Sequence, residues 1–365
     1  TPLYSSAASD VYKRQVLGTR DCSTQRRFQK LIEEAPAPFL TEEQRSSIEN
    51  GAREICRSAN YIGAGTVEYI VSEDGTVSFL EVNTRVQVEH PVTEVVTGVD
   101  IIAEQFRIAD GQELSFGTDP EITSHAFEFR INAEDVTNGF APSPGTVTRF
   151  DVPTGPGIRV DSGVRTGSDI PAYYDSLMAK LIVIAPTRDA ALARSRQALK
   201  EFTIEGVRTV LPFHRDMVDA PELNGDSLDL YTDWVDGNYS PSANHETSDI
   251  EHLYDERETV VIEIDGRLHE IGIPRRMLSG GGSPRTSEPE SSETGGEGAV
   301  TVKFDSTIVK WMVSDGDTVE KGQPLAVVEA MKMESTLKSP AAGTISVSAD
   351  EGARVKPGVT IATIV

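Results

Sequence analysis

Lys332 stands between Met331 and Met333 in EAMKME, residues 329–334. A lone lysine beside two gap-filling methionines is ordinarily a solvated side chain. Its setting here is different. DGDTVEKGQPLAVV (315–328) matches EGARVKPGVTIATI (351–364), with Gly316 on Gly352, Val319 on Val355, Gly322 on Gly358 and Leu325 on Ile361, at a constant offset of 36. Two similar β-rich halves imply a pseudo-symmetric sandwich or flattened barrel. Lys332 falls where the chain passes from one half to the other, an exposed connection at one end. That placement, behind a polar tether, points to a covalently modified lysine on a mobile arm.

A second group of reactive side chains lies upstream. TVEYIV (66–71) and VSFLEVN (77–83) flank SEDGT and read as a hairpin. Pairing Ser72 with Val77 sets Glu68 opposite Glu81. Like charges directly opposite destabilise a ladder, and a divalent cation, Mg²⁺ above all, reverses that. Two solvated glutamates, or another register, fit the pattern as well. EVNTRVQVEH (81–90) continues the run. If extended, it carries Glu81, Asn83, Arg85, Gln87 and Glu89 on one face and Val82, Thr84, Val86 and Val88 on the other. Arginine forks a small planar oxyanion, and glutamate serves as a base. An ordinary half-buried strand has the same alternation.

These residues need elements to position them. TEEQRSSIENGAREICRSA (41–59) reads as a helix with a Thr41–Gln44 capping box and an apolar face of Ile48, Ile55 and Ala59. A helix is expected at 188–202. VVIEIDGRLHEIGI (260–273) reads as a hairpin turning at Asp265-Gly266. SGGGSPRTSEPESSETGGEG (279–298) has too little apolar surface to order itself and reads as a flexible linker. Residues 1–15, TPLYSSAASDVYKRQ, have no clear period and read as a non-native tail; DVYKRQ resembles translated adapter sequence, and an irregular natural N-terminus is the alternative.

The 365-residue chain carries a net charge of −24, which argues against nucleic acid or an anionic membrane as partner. No apolar run is long enough to span a bilayer. Two cysteines and six histidines show no zinc-ligand spacing, and so few cysteines fit a reducing, cytoplasmic compartment.

EAMKME within its repeat resembles the biotinyl domain of biotin-dependent carboxylases, over about 299–365. Lipoyl domains share that fold, but the flanking methionines favour biotin. KFDST (303–307) departs from the family, whose members often carry Pro-Gly there. RDCSTQRRFQKLIEEAPAP, EVNTRVQVEHPVTE, FAPSPGTVTRF and PAYYDSLMAKLI resemble biotin carboxylase, an ATP-grasp enzyme, from about Gly18 to Tyr239. Together they most resemble the α subunit of acyl-CoA carboxylases.

The resemblance implies an α+β chain: the C-terminal half of an ATP-grasp domain (16–125), a biotin carboxylase C-terminal domain (126–240), a small β connector (241–278), the linker and an all-β carrier. It implies Mg²⁺ or Mn²⁺ on Glu68, Glu81 and Asn83, with ATP near Gln25, Lys30 and Glu81. Bicarbonate would meet Arg85, Gln87, the Val88 backbone and Lys30. Glu89 would take its proton on the way to carboxyphosphate, and Arg159 would stabilise the biotin enolate. Biotin would be attached to Lys332 by a biotin protein ligase. A carboxyltransferase subunit would pass the carboxyl group to an acyl-CoA such as acetyl- or propionyl-CoA, in fatty acid synthesis. Phe28 departs from members with a nucleotide-contacting histidine there. The Gly-rich phosphate flap of ATP-grasp enzymes does not occur, so this chain alone is expected to be inactive toward biotin. A pure biotinyl or lipoyl carrier is the alternative reading. A pyruvate- or urea-type carboxylase would need a further catalytic domain.

Overall fold

The computed structural model describes residues 2–9, 14–225, 229–242, 257–264, 267–274, 298–302, 306–330 and 333–365. The chain divides into two compact units, residues 1–241 and 242–365.

The first unit is built on an eight-stranded sheet. In chain order its elements are β1 (Pro2–Ser9), β2 (Arg14–Arg26), β3 (Gln29–Ala35), α1 (Glu42–Ser58), β4 (Gly63–Val71), β5 (Val77–Asn83), α2 (His90–Thr97), α3 (Ile101–Ala109), β6 (His125–Asn132), β7 (Ile158–Ser162), β8 (Leu177–Ala185) and α4 (Arg188–Glu201). The strands lie in the order β7-β8-β6-β3-β2-β1-β4-β5, each neighbour antiparallel. No helix among the described residues is long and apolar enough to cross a membrane.

The expected helices form. Thr41 and Gln44 close the capping box that starts α1. The buried face of α1 is Ile48, Ala52 and Cys56, which pack on Val67, Tyr69 and Val71 of β4. Ile55 is only half-buried, and Ala59, the C-cap residue just past the helix, is exposed. Thr187 caps α4 by accepting from the Ala190 N–H. The segment read as an irregular tail contributes β1, paired between β2 and β4. Strand pairing uses backbone groups that nearly every sequence carries, so it leaves the origin of those residues untouched.

The β4–β5 hairpin holds Glu68 opposite Glu81, but not in one continuous register. Val71 pairs with Val77, so Ser72 does not, and a shift between Glu68 and Tyr69 leaves Leu80 as the extra residue. This bulge restores the Glu68–Glu81 pairing that a simple count from the turn requires. Parity then sorts the strand. Val67, Tyr69 and Val71 face α1, while Thr66 and Glu68 face the opposite side.

In the second unit, β9 (Arg257–Ile264) and β10 (Arg267–Pro274) pair antiparallel as expected, Ile264 with Arg267, and the expected turn at Asp265-Gly266 lies outside the described residues. The carrier part comprises β11 (Ala299–Thr301), β12 (Ser306–Trp311), β13 (Thr318–Val319), β14 (Pro324–Ala330), β15 (Met333–Lys338), β16 (Gly343–Val347), β17 (Arg354–Val355) and β18 (Thr360–Ile364). They make two open four-stranded sheets, β11-β18-β16-β13 and β15-β14-β12-β17. The flattened barrel therefore takes the form of a sandwich. Val300, Val319, Ile345 and Ile361 from one sheet pack with Ile308, Leu325, Val328 and Val355 from the other. The internal repeat is physical: β13 and β17 start at 318 and 354, β14 and β18 at 324 and 360. The matched glycines Gly316 and Gly352 both turn at positive φ, 90° and 80°. Ala330 pairs with Met333. Lys332 and residues 279–297 of the tether lie outside the described residues.

Candidate active site

The site is the polar face of the large sheet beneath α2. Residues opposite one another across a ladder share a face, so the register gives two rows. Asp161 on β7, Lys180 on β8 and Arg130 on β6 form one; Arg159, Ile182, Glu128 and Glu33 on β3 form the other. Helix α2 packs over β2, β3, β6 and β8.

The segment leading into α2 is not extended, as its alternation implied. β5 ends at Asn83, and the helix begins at His90 with Pro91 in its first turn. Gln87 and Glu89 are therefore buried while Arg85 is exposed. Glu89, 1% exposed, is the residue before the helix and makes no side-chain cap. Its carboxylate turns to cations instead. Lys30 Nζ lies 2.6 Å from Oε1, Arg130 Nη2 2.9 Å from Oε2 and Arg20 Nη2 4.0 Å from Oε1. Burial opposes the charge, but Lys30, Arg20 and Arg130 outweigh it and hold the Glu89 pKa down to about 2.

Lys30 also lies 3.6 Å from Glu68 Oε1. Asn83 Nδ2 donates to Glu68 Oε1 at 2.7 Å and to Glu81 Oε1 at 3.1 Å, drawing the two carboxylates onto one amide. Gln87 Nε2 donates to Glu68 at 3.0 Å, and its Oε1 accepts from Arg20 at 2.8 Å. Arg85 reaches Asn83 Oδ1 at 3.3 Å and the Val86 carbonyl at 3.2 Å. Arg20, Thr66, Arg85, Gln87, His90 and Ile101 line a cleft beside this group. Residues that the sequence set in one linear run are thus joined by folding to Lys30, more than 35 positions before Glu68.

The donor set suits a divalent cation. No cluster of three or more His, Cys, Asp or Glu side chains that could hold a metal occurs among the described residues. Two convergent carboxylates, one buried and one exposed, match Mg²⁺, which takes few protein ligands and completes its shell with water and phosphate. Asn83 holds both carboxylates by its NH₂ group and would have to turn to offer oxygen.

The other expected site residues are placed less directly. Gln25 is opposite Lys30 in the β2–β3 ladder, but its amide donates to the Cys22 carbonyl at 3.0 Å. Phe28 is at the tip of the two-residue β2–β3 turn, at φ 64° and 93% exposed. The Val88 carbonyl accepts from Lys180 Nζ at 2.8 Å. Arg159 is gripped by both oxygens of Asp161 at 2.8 Å and meets Glu94 of α2 at 3.1 Å. Those bonds raise its pKa, so it stays cationic.

Arg20, Arg130 and Lys180 were missed from the sequence. The signal was present in FEFRIN and AKLIVI, where charged residues interrupt apolar strands. A buried charge needs a partner, but no local rule says which.

The Glu89 contacts set an acid dependence. Its folded pKa, about 2, lies below the ordinary carboxyl value of 4.5. The stabilisation is therefore complete above the ordinary value and is lost as pH falls through about 2. Acid unfolding of Glu89→Gln is expected to show a shallower slope across that window than the parent chain. Equal slopes would mean that Glu89 is not held by these cations.

The chain is similar to several known proteins. Three family models match in order: "Carbamoyl-phosphate synthase L chain, ATP binding domain" at 12–116, "Biotin carboxylase C-terminal domain" at 128–237 and "Biotin-requiring enzyme" at 297–364. The fold is that of the ATP-grasp biotin carboxylases, followed in sequence by a biotin-requiring domain. The chain is a homologue of the α subunits of biotin-dependent acyl-CoA carboxylases. It is 47% identical to the acyl-coenzyme A carboxylase alpha3 subunit of Mycobacterium leprae, over 96% of this chain and 62% of that protein. It is 48% identical to the biotin carboxylase of Nostoc sp., over 57% of this chain and 46% of the relative. Among solved structures, the biotin carboxylase domain dimer of Hydrogenobacter thermophilus 2-oxoglutarate carboxylase, in complex with MgADP, ADP and bicarbonate, matches with a TM-score of 0.62. It is 43% identical, covering 64% of this chain and 52% of that one. The chain thus spans about half to three-fifths of the length of these relatives.

Proposed function

We propose that this chain is the biotin carboxylase and carrier part of an acyl-CoA carboxylase, which carboxylates biotin on Lys332 at the expense of ATP and bicarbonate. The observation that carries the reading is the buried Glu89 carboxylate, gripped by Lys30 and Arg130 and set beside Glu68, Glu81, Arg85 and Gln87. Arg85 and Gln87 bind and orient bicarbonate, and the Val88 backbone completes the seat. Glu89, ionised at any working pH, accepts the bicarbonate proton. The oxygen so released attacks the γ-phosphorus of ATP, and the bond from that phosphorus to the bridging oxygen breaks to leave ADP. Glu68 and Glu81, with Asn83, would hold Mg²⁺ or Mn²⁺, which offsets the phosphate charge. Lys30 balances the charge on the transferring group, Gln25 borders the nucleotide, and Arg159 supplies positive charge toward the carried biotin.

The partner is a carboxyltransferase subunit that moves the carboxyl group to an acyl-CoA; a biotin protein ligase loads Lys332. We place the protein in the cytoplasm, where the free, buried Cys22 and Cys56 stay reduced.

In a chain extended to the length of its relatives, Glu89→Gln is expected to lower bicarbonate-dependent ATP cleavage by about 10²–10⁴-fold, the range for loss of a general base. Arg85→Met is expected to raise the KM for bicarbonate more than it lowers kcat. Full cleavage in the Glu89 variant would remove the proposed base.

A further inference from the structure

Glu128 is fully buried in the middle of β6, and neither carboxylate oxygen has a hydrogen-bond partner. Glu33, also fully buried, is directly opposite it on β3. Two ionised carboxylates at that spacing repel, and an unpaired carboxylate in a dry interior is costly.

The neighbouring cations are already committed. Arg130 spends Nε on Glu33 at 2.6 Å and Nη2 on Glu89 at 2.9 Å. Lys180 donates to the Val88 carbonyl at 2.8 Å and lies 3.8 Å from Asp161. Arg130 and Lys180 are themselves opposite one another, a like-charge pair tolerated because each grips an acceptor above the sheet. An ionised Glu128 would compete for both. It would draw Arg130 from Glu89 and Lys180 from the backbone just before it.

We propose that Glu128 is held as a neutral carboxylic acid, and that this leaves Arg130 and Lys180 free to act as positioning residues for Glu89 and the Val88–Glu89 peptide. Glu128 touches no reacting group. Its contribution is to stay uncharged beneath the cations that fix the base. The charged groups facing it are Glu33 from β3, Arg130 from its own strand, Lys180 from β8 and Glu89 at the start of α2. Burial and the Glu33 and Glu89 charges raise its pKa well above the ordinary carboxyl value, against the pull of Lys180 and Arg130. The protonation state does not depend on the proposed activity; only its catalytic consequence rests on Glu89 being the base.

The test uses the 365-residue chain. Infrared difference spectra, parent minus Glu128→Gln, at neutral pH are expected to show one protonated-carboxyl C=O band, shifted in heavy water. Its absence overturns the proposal. A band that survives in Glu128→Gln but disappears in Glu33→Gln puts the proton on Glu33 and also overturns it. If the glutamine variant fails to fold, the parent alone decides: the band must be present at a pH where an ordinary glutamate is fully ionised, and its absence there overturns the proposal. In ¹⁵N-arginine spectra, the Arg130 Nε resonance, assigned with Arg130→Lys, is expected to shift at alkaline pH in the parent and not in Glu128→Gln. A shift that is the same in both would sever Glu128 from the positioning of Arg130.

Discussion

Arg130→Met is expected to destabilise the first unit by about 3–5 kcal/mol, the cost of leaving buried charges without their partner. One guanidinium bridges Glu33, which is fully buried, and Glu89, which is 1% exposed. Methionine fills similar space, so the loss is chiefly electrostatic and not a cavity. Lys30 still faces Glu89 at 2.6 Å, which limits the damage there. Glu33 has no such reserve: its second oxygen already lacks a partner. Arg130→Lys keeps the charge but not the planar fork that reaches two carboxylates, and is expected to fall between methionine and the parent. Urea unfolding followed by a probe of the large sheet measures both. A cost under about 1 kcal/mol for Arg130→Met would show that Glu33 takes a proton instead of its charge being held by arginine.

Lys332→Ala is expected to abolish biotin loading completely, an all-or-none effect where the previous one is graded. After incubation with biotin ligase, ATP and biotin, the parent chain is expected to gain the mass of one biotin, mapped to the peptide that contains Lys332. The variant gains none, although Lys303, Lys310, Lys321, Lys338 and Lys356 remain in the same domain. Selectivity of this kind comes from the position of Lys332 between the halves of the repeat, flanked by the Ala330–Met333 pair. Gain on the variant would assign attachment to another lysine. Gain only with a lipoyl ligase would overturn biotin as the group carried.

Much of this was legible in the sequence because it depends on near neighbours. Thr41 and Gln44 are one helical turn apart, and the carrier repeat shows at a fixed offset. Glu68 and Glu81 face each other across one tight hairpin. Even there the count succeeded only because the bulge at Leu80 offset a turn that pairs Val71, not Ser72, with Val77. EVNTRVQVEH is a strand only as far as Asn83, and Pro91 lies in the first turn of the helix that begins at His90. The clamp on Glu89 was not legible. Glu33 and Arg130 are 97 positions apart, and Val88 and Lys180 are 92 apart. Only the strand order brings them together. Arg159 was singled out from resemblance; its fork on Asp161 joins alternate residues on one face of β7, but its bond to Glu94, 65 positions away, is announced by no spacing.

The first strand of the carrier sandwich lies against its last. Ala299 pairs with Thr363, and the Gly298 carbonyl accepts from the Ile364 N–H. The two points where this domain joins anything else therefore sit side by side. Such a module is portable: it can be appended, inserted within another chain or cut and rejoined elsewhere without rethreading its sheets. The same sandwich would serve equally as a freestanding protein or as a passenger on either end of a catalytic partner.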